Sequence, residues 1–129
     1  MAAFCLFVAG VLRATLPGPE LALDWQHSVA KTRWEERYRI EDDRLLLDEA
    51  CVEGTGAGME PPPDAVRRAG AWCWRPQRAL PELALTWSTY AADYRLCVQG
   101  ACRTLGDWIG PVEDGTVVIV RPCRAAAKP

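Results

Sequence analysis

Histidine is nearly missing from this chain: His27 is the single one in 129 residues. No two cysteines stand in Cys-x-x-Cys spacing, so neither a zinc ribbon nor a thioredoxin-like redox motif is present. One histidine among scattered carboxylates gives no recognisable ligand spacing, and neither a metal nor a cofactor is expected. There is no run of basic residues beyond Arg67-Arg68, and the formal charge is −2. Phosphate backbones need a positive footprint, so nucleic acid is not an expected partner. No Gly-x-Ser-x-Gly elbow occurs, which argues against an α/β-hydrolase nucleophile. Gly54 to Gly58 is glycine-rich, but no Lys-Ser/Thr follows and Pro61-Pro62-Pro63 prevents the helix that a phosphate loop requires. The apolar stretch 2–12 is too short for a spanning helix, and no Lys or Arg precedes Arg13 as a secretory signal would want. It reads as two strands, 4–9 and 11–16, with a targeting segment as the other reading.

What the chain does have is alternation. Residues 20–29 place Leu21, Leu23, Trp25, His27 and Val29 on one face; residues 32–40 place Thr32, Trp34, Glu36, Tyr38 and Ile40 on one face. That is the period-two pattern of a half-buried antiparallel pair. With a turn centred on Ala30-Lys31, Trp25 faces Glu36, Leu23 faces Tyr38, His27 faces Trp34, and on the wet side Asp24 faces Arg37. Further strands are expected at 44–52, 71–74 (Trp72 and Trp74 on one face), 83–87, 94–98, 101–105 and 116–120, the last of these central, with a helical turn at 106–110. A long Gly/Pro-rich connection runs through 54–64. The word Pro19-Glu20-Leu21-Ala22-Leu23-Asp24-Trp25 returns as Pro81-Glu82-Leu83-Ala84-Leu85-Thr86-Trp87, either by chance or as two equivalent hairpins. Many short strands without a long helix predict one all-β domain over 1–129, an antiparallel sandwich or open barrel.

Six cysteines and six tryptophans are many for this length. Cys97 and Cys102 flank Val98-Gln99-Gly100-Ala101, a hairpin loop that sets them opposite each other within disulfide reach. Cys5 and Cys123 suit a clasp between terminal strands. The other reading is six reduced thiols, which pack as small hydrophobes. Most of the tryptophans belong in the core, although paired indoles also line ligand grooves.

Strand parity puts His27 and Glu36 on the apolar face, in diagonal positions that long side chains bridge. Burial lowers a histidine's pKa and raises a glutamate's, and pairing opposes both shifts. One reading is a pair that locks the hairpin register. The other is a pocket floor, or a general base oriented by a carboxylate. Ser28 points to the opposite face from His27, so a dyad between them needs a bulge. Met59, beside the glycine loop, is an apolar contact at the mouth of such a pocket.

His27-Ser28-Val29-Ala30-Lys31-Thr32 with Trp34-Glu35-Glu36, then Gly56-Ala57-Gly58-Met59-Glu60-Pro61-Pro62-Pro63, Leu96-Cys97 with Gly100-Ala101-Cys102, and Arg121-Pro122-Cys123 together resemble the bacterial domain-of-unknown-function family numbered 1850. The resemblance implies a small protein encoded beside tripartite solute transporters of the TAXI type. It carries no activity across; it marks His27, Ser28, Glu36, Gly56 and Gly58 as signature positions. Cys51 and Cys73 stand outside the pattern, as free thiols or a local extra pair. The expectation is a non-enzymatic accessory domain outside the cytoplasm, binding a transporter component or a small anionic solute through His27, Ser28, Glu36, Gly56, Gly58 and Met59. A hydrolase-like enzyme using His27 and Glu36, and a cytoplasmic structural protein with reduced thiols, are the alternatives.

Overall fold

A computed structural model describes residues 1–26, 32–53 and 61–125. The chain opens with β1 (Ala2–Val8) and β2 (Val11–Pro17). Three longer strands follow: β3 (Glu20–Gln26), β4 (Arg33–Glu41) and β5 (Arg44–Glu53). Short strands come next: β6 (Val66–Arg68), β7 (Ala71–Trp74), β8 (Arg78–Leu80), β9 (Leu83–Thr86), β10 (Arg95–Val98) and β11 (Ala101–Thr104). Helix α1 (Leu105–Ile109) and β12 (Val117–Arg124) close the chain.

Every ladder is antiparallel. A small sheet has the order β2-β1-β12-β9, and a large one the order β11-β10-β3-β4-β5-β7-β6 with β8 also on β5. Among the described residues the sheets do not close into a barrel, which decides for the sandwich. Strand β12 lies inside the small sheet, between β1 and β9, as its wholly apolar start predicts.

Four hairpins share one device. Ala9-Gly10, Asp42-Asp43, Ala69-Gly70 and Gln99-Gly100 each supply two consecutive residues with positive φ. This is the two-residue type I′ turn, whose twist matches that of the strands it joins. The loop between Cys97 and Cys102 is therefore two residues long rather than four, because Val98 and Ala101 already pair. Gly100, at φ 81°, holds a conformation that side chains resist.

The β3–β4 hairpin keeps the expected facing but not the expected register. Leu23 lies opposite Glu36, Trp25 opposite Trp34 and Asp24 opposite Glu35. The offset from the sequence expectation is two residues, which preserves the face of every side chain. Stacking of the two indoles, 6.0 Å apart and 12° from parallel, stabilises this register. Asp24 takes one cation diagonally, from Arg33 on β4 at 3.4 Å, and one from its direct partner on β10, Arg95, at 3.0 Å.

The recurring seven-residue word does not build equivalent hairpins. Its first copy forms β3 in the large sheet. Its second forms β9, which pairs with β12 in the small sheet, while the following Tyr94-Arg95-Leu96 segment joins β3 in the other sheet. Both copies still send leucines inward: Leu21, Leu23 and Leu85 are buried.

Between the sheets lie Phe4, Leu6, Leu16, Val118 and Val120 from the small sheet, against Leu21, Leu23, Tyr38, Leu45, Leu47, Leu96 and Val98 from the large one. Helix α1 plugs one edge with Leu105 and Ile109. Its first turn is capped by Thr104, whose Oγ1 accepts the Asp107 N–H at 3.1 Å. Arg13 of β2 donates to the Ile109 carbonyl at 3.0 Å, tying the helix to the small sheet.

All six cysteines are paired, as Cys5–Cys123, Cys51–Cys73 and Cys97–Cys102. The last two join residues directly opposite in a ladder, and Cys5–Cys123 crosses the β1–β12 ladder diagonally. The reduced-thiol reading is thereby set aside, and Cys51 with Cys73 is a local pair.

Gly18 is where the first hairpin meets the rest of the chain. Its N–H donates to the Ala2 carbonyl at 3.0 Å, and a Cβ on it would stand 2.8 Å from that oxygen. Gly18→Ala is expected to cost about 1–3 kcal/mol, read as a lowered urea midpoint. An unchanged midpoint would show that the Ala2 carbonyl can yield.

Candidate functional site

The inner face of the large sheet is not covered evenly. Its Leu21–Tyr38–Leu47 end lies under the small sheet. At the other end two rows cross the strands by register. One runs Trp25, Trp34, Val52, Trp72; the next runs Leu96, Leu23, Glu36, Ala50, Trp74. Val52 and Ala50 are buried, yet Trp34, Trp72 and Trp74 are only half-buried and lie outside the central cluster. The rings form a continuous wall. Tyr94 meets Trp25 edge-on at 5.9 Å, and Trp74 meets Trp34 edge-on at 6.3 Å. Sequence reading saw the tryptophans' shared parity but not this wall, because the meeting of β7, β4, β3 and β10 is a matter of sheet order.

Glu36 sits within this face, flanked in register by buried Leu23 and Ala50. Tyr38, two residues on, donates its hydroxyl to Glu36 Oε1 at 2.8 Å. Burial pushes the Glu36 carboxyl above its ordinary range; the Tyr38 hydrogen bond and the charge of Arg78 pull partly against it. Burial likewise raises the Tyr38 phenol, and the facing Glu36 charge raises it further. Tyr94 is raised by burial, then by the Glu36 and Asp93 charges.

A group whose pKa is higher in the folded chain takes up a proton on folding. The stability that Glu36 controls is therefore fully present below its ordinary value of 4.5 and is lost as pH rises through the raised value. Glu36→Gln keeps an acceptor for Tyr38 and removes the charge. It is expected to unfold a few degrees higher than the parent at neutral pH, with the gap closing below the carboxylate range. A gap independent of pH, measured by thermal melts across pH, would mean that Glu36 is fully solvated.

Beside Trp25 a small cavity of about 200 Å³ opens, bounded by Trp25, Gln26, Ser88, Asp93 and Tyr94 among others. Asp93 is fixed by its Oδ2, which accepts the Gly106 N–H of α1 at 2.8 Å. A larger, open groove of about 860 Å³ lies on the outer face, over Cys51–Cys73 and β4. Its arginines are matched by acids: Arg68 on Glu49, Arg75 on Asp48 and Arg37 on Glu35. The Arg75 and Gln77 hydrogen bonds hold the Asp48 carboxyl below its usual range. Among the described residues, Glu49, Cys51 and Cys73 are grouped closely enough to hold a metal ion, but the two sulfurs are bonded to each other and offer no thiolate.

Of the sequence-predicted positions, Glu36 is placed on the inner face. His27, Ser28, Gly56, Gly58 and Met59 lie outside the described residues. Gln26 of β3 and Glu53 of β5 lie at the same end of the sheet as the aromatic wall. The wall residues Trp25, Trp34, Trp74 and Tyr94, and Asp93 beside them, are the ones sequence reading did not single out as a site.

The fold and this face define an all-β sandwich stapled by disulfides, with an aromatic wall around an inward carboxylate. The chain belongs to the family described as a domain of unknown function (DUF1850), which matches residues 21–105. No curated protein and no solved structure matches it. The matched span runs from β3 to β11, nearly the whole large sheet, and stops short of the Arg121-Pro122-Cys123 block that the sequence resemblance had included.

Proposed function

We propose that this chain is a single, non-enzymatic binding domain working outside the cytoplasm, with its site at the uncovered end of the large sheet. The observation that carries the reading is the partly buried wall of Trp25, Trp34, Trp74 and Tyr94 around Glu36, because aromatic rings grouped about a carboxylate suit ligand recognition. Among the described residues Glu36 accepts a hydrogen bond from the Tyr38 phenol, an arrangement that suits recognition. His27, Ser28, Gly56, Gly58 and Met59 are the further binding residues of this reading, on the sequence alone.

Three disulfides among six cysteines favour an oxidising compartment. No helix among the described residues is long and apolar enough to cross a membrane. A bacterial source and partnership with a TAXI-type tripartite solute transporter rest on the family resemblance. The test is co-purification of the full chain with the neighbouring transporter's components, alongside thermal shift with organic acids and amines. Wild type is expected to bind, and Trp74→Ala to bind more weakly. No complex and no thermal shift with any solute would overturn the reading.

A further inference from the structure

We infer that the cavity between Trp25 and Tyr94 binds a small organic ammonium ion, with Asp93 as its counter-charge. This deepens the proposed function by naming the ligand's chemical class, and it rests on that reading of the uncovered end as a binding site. The charge is opposite to the anionic solute that the sequence suggested.

Four features of the cavity point the same way. Trp25 and Tyr94 meet at 60° with centroids 5.9 Å apart, so two ring faces make a corner. A cation held against such faces is attracted by the ring quadrupoles, most strongly where water is excluded. Asp93 lines the same cavity, and its Oδ1 is buried with no hydrogen-bond partner among the described residues, while Oδ2 is held by Gly106. The carboxylate thus stands at the cavity wall without a cation of its own, and its charge attracts an ammonium placed in the space. No Lys, Arg or His lines the cavity among the described residues. The adjacent Arg95 is turned to the other face of the sheet, where it is bound to Asp24. Finally, the Tyr94 phenol is raised by burial first and then by the charges of Glu36 and Asp93, two carboxylates close to this corner.

The volume limits the ligand. A space of about 200 Å³ is roughly seven water volumes, enough for an ammonium head and a few methylenes and too little for a large ring system.

The test uses three probes of equal length and different charge: n-propylammonium, n-propanol and propionate. Each is titrated into the oxidised full chain at constant ionic strength and followed by indole chemical shifts. Propylammonium is expected to shift the Trp25 indole with a Kd of about 1–10 mM, with propanol and propionate at least about tenfold weaker. Asp93→Asn retains an oxygen for the Gly106 N–H, so the helix start is kept. It should weaken propylammonium about tenfold, and Trp25→Leu should do the same. Equal binding of propanol, tighter binding of propionate, no shift with any probe, or an unaffected Asp93→Asn would each overturn the inference. A transporter complex or an organic-acid thermal shift, with propylammonium silent, would sink the cation site and leave the proposed function standing.

Discussion

Replacing both Cys5 and Cys123 by serine is expected to lower the unfolding free energy by about 4–5 kcal/mol, the largest loss of the three disulfides. The bond joins residues 118 apart, so cutting it frees nearly the whole unfolded chain. Chain entropy grows with loop length: Cys51–Cys73 closes a separation of 22 and Cys97–Cys102 one of 5, for which losses of about 3 and about 2 kcal/mol are expected. The native state gives the same order. Cys5–Cys123 ties the first strand to the last and thereby fixes the small sheet, whereas Cys97 and Cys102 sit in a hairpin that Gln99-Gly100 already turns. Urea midpoints of the three double-serine variants check the ranking. A larger loss from the Cys97–Cys102 pair than from Cys5–Cys123 would show that the terminal strands are held by packing instead.

Trp34→Ala is expected to cost about 3 kcal/mol and to abolish recognition at the aromatic end. Trp34 is the hub of the wall: it stacks on Trp25 and receives Trp74 edge-on. Removing it opens a gap over Val52, its register partner, and leaves Trp25 without the stacking that stabilises the β3–β4 register. Trp34→Phe makes the informative contrast. The Trp34 indole N–H is buried with no hydrogen-bond partner among the described residues, so losing it removes a penalty as well as some contact. The phenylalanine variant is expected within about 1.5 kcal/mol of the parent and should still bind. Denaturant midpoints and the binding titration check both variants. Equal losses for Ala and Phe would mean that the indole N–H contributes favourably.

Facing was legible in the sequence, because strand parity is local. Leu21, Leu23 and Trp25 share a face with Trp34, Glu36 and Tyr38, and Trp72 shares one with Trp74, as the alternation requires. Register was not legible. A slip of two residues leaves every face unchanged, and the contact that favours one register, the Trp25–Trp34 stack, exists only once the strands have met. The β6–β7 hairpin was not legible for a related reason: β6 is three exposed residues without alternation.

The sequence by itself determined the all-β class, the inward placing of Glu36 and the family, and it pointed to two of the three disulfides. Each follows from neighbours in the chain, from a short loop, or from residue words that a family shares. Tertiary structure alone decided which strands adjoin, that the second Leu-Ala-Leu word belongs to the other sheet, and that Cys51 reaches Cys73. It also decided that Trp25, Trp34, Trp74 and Tyr94 form one wall with Asp93 beside it. These residues come from four separate segments of the chain, and only sheet order and the partial cover of the small sheet bring them to a common, half-open face.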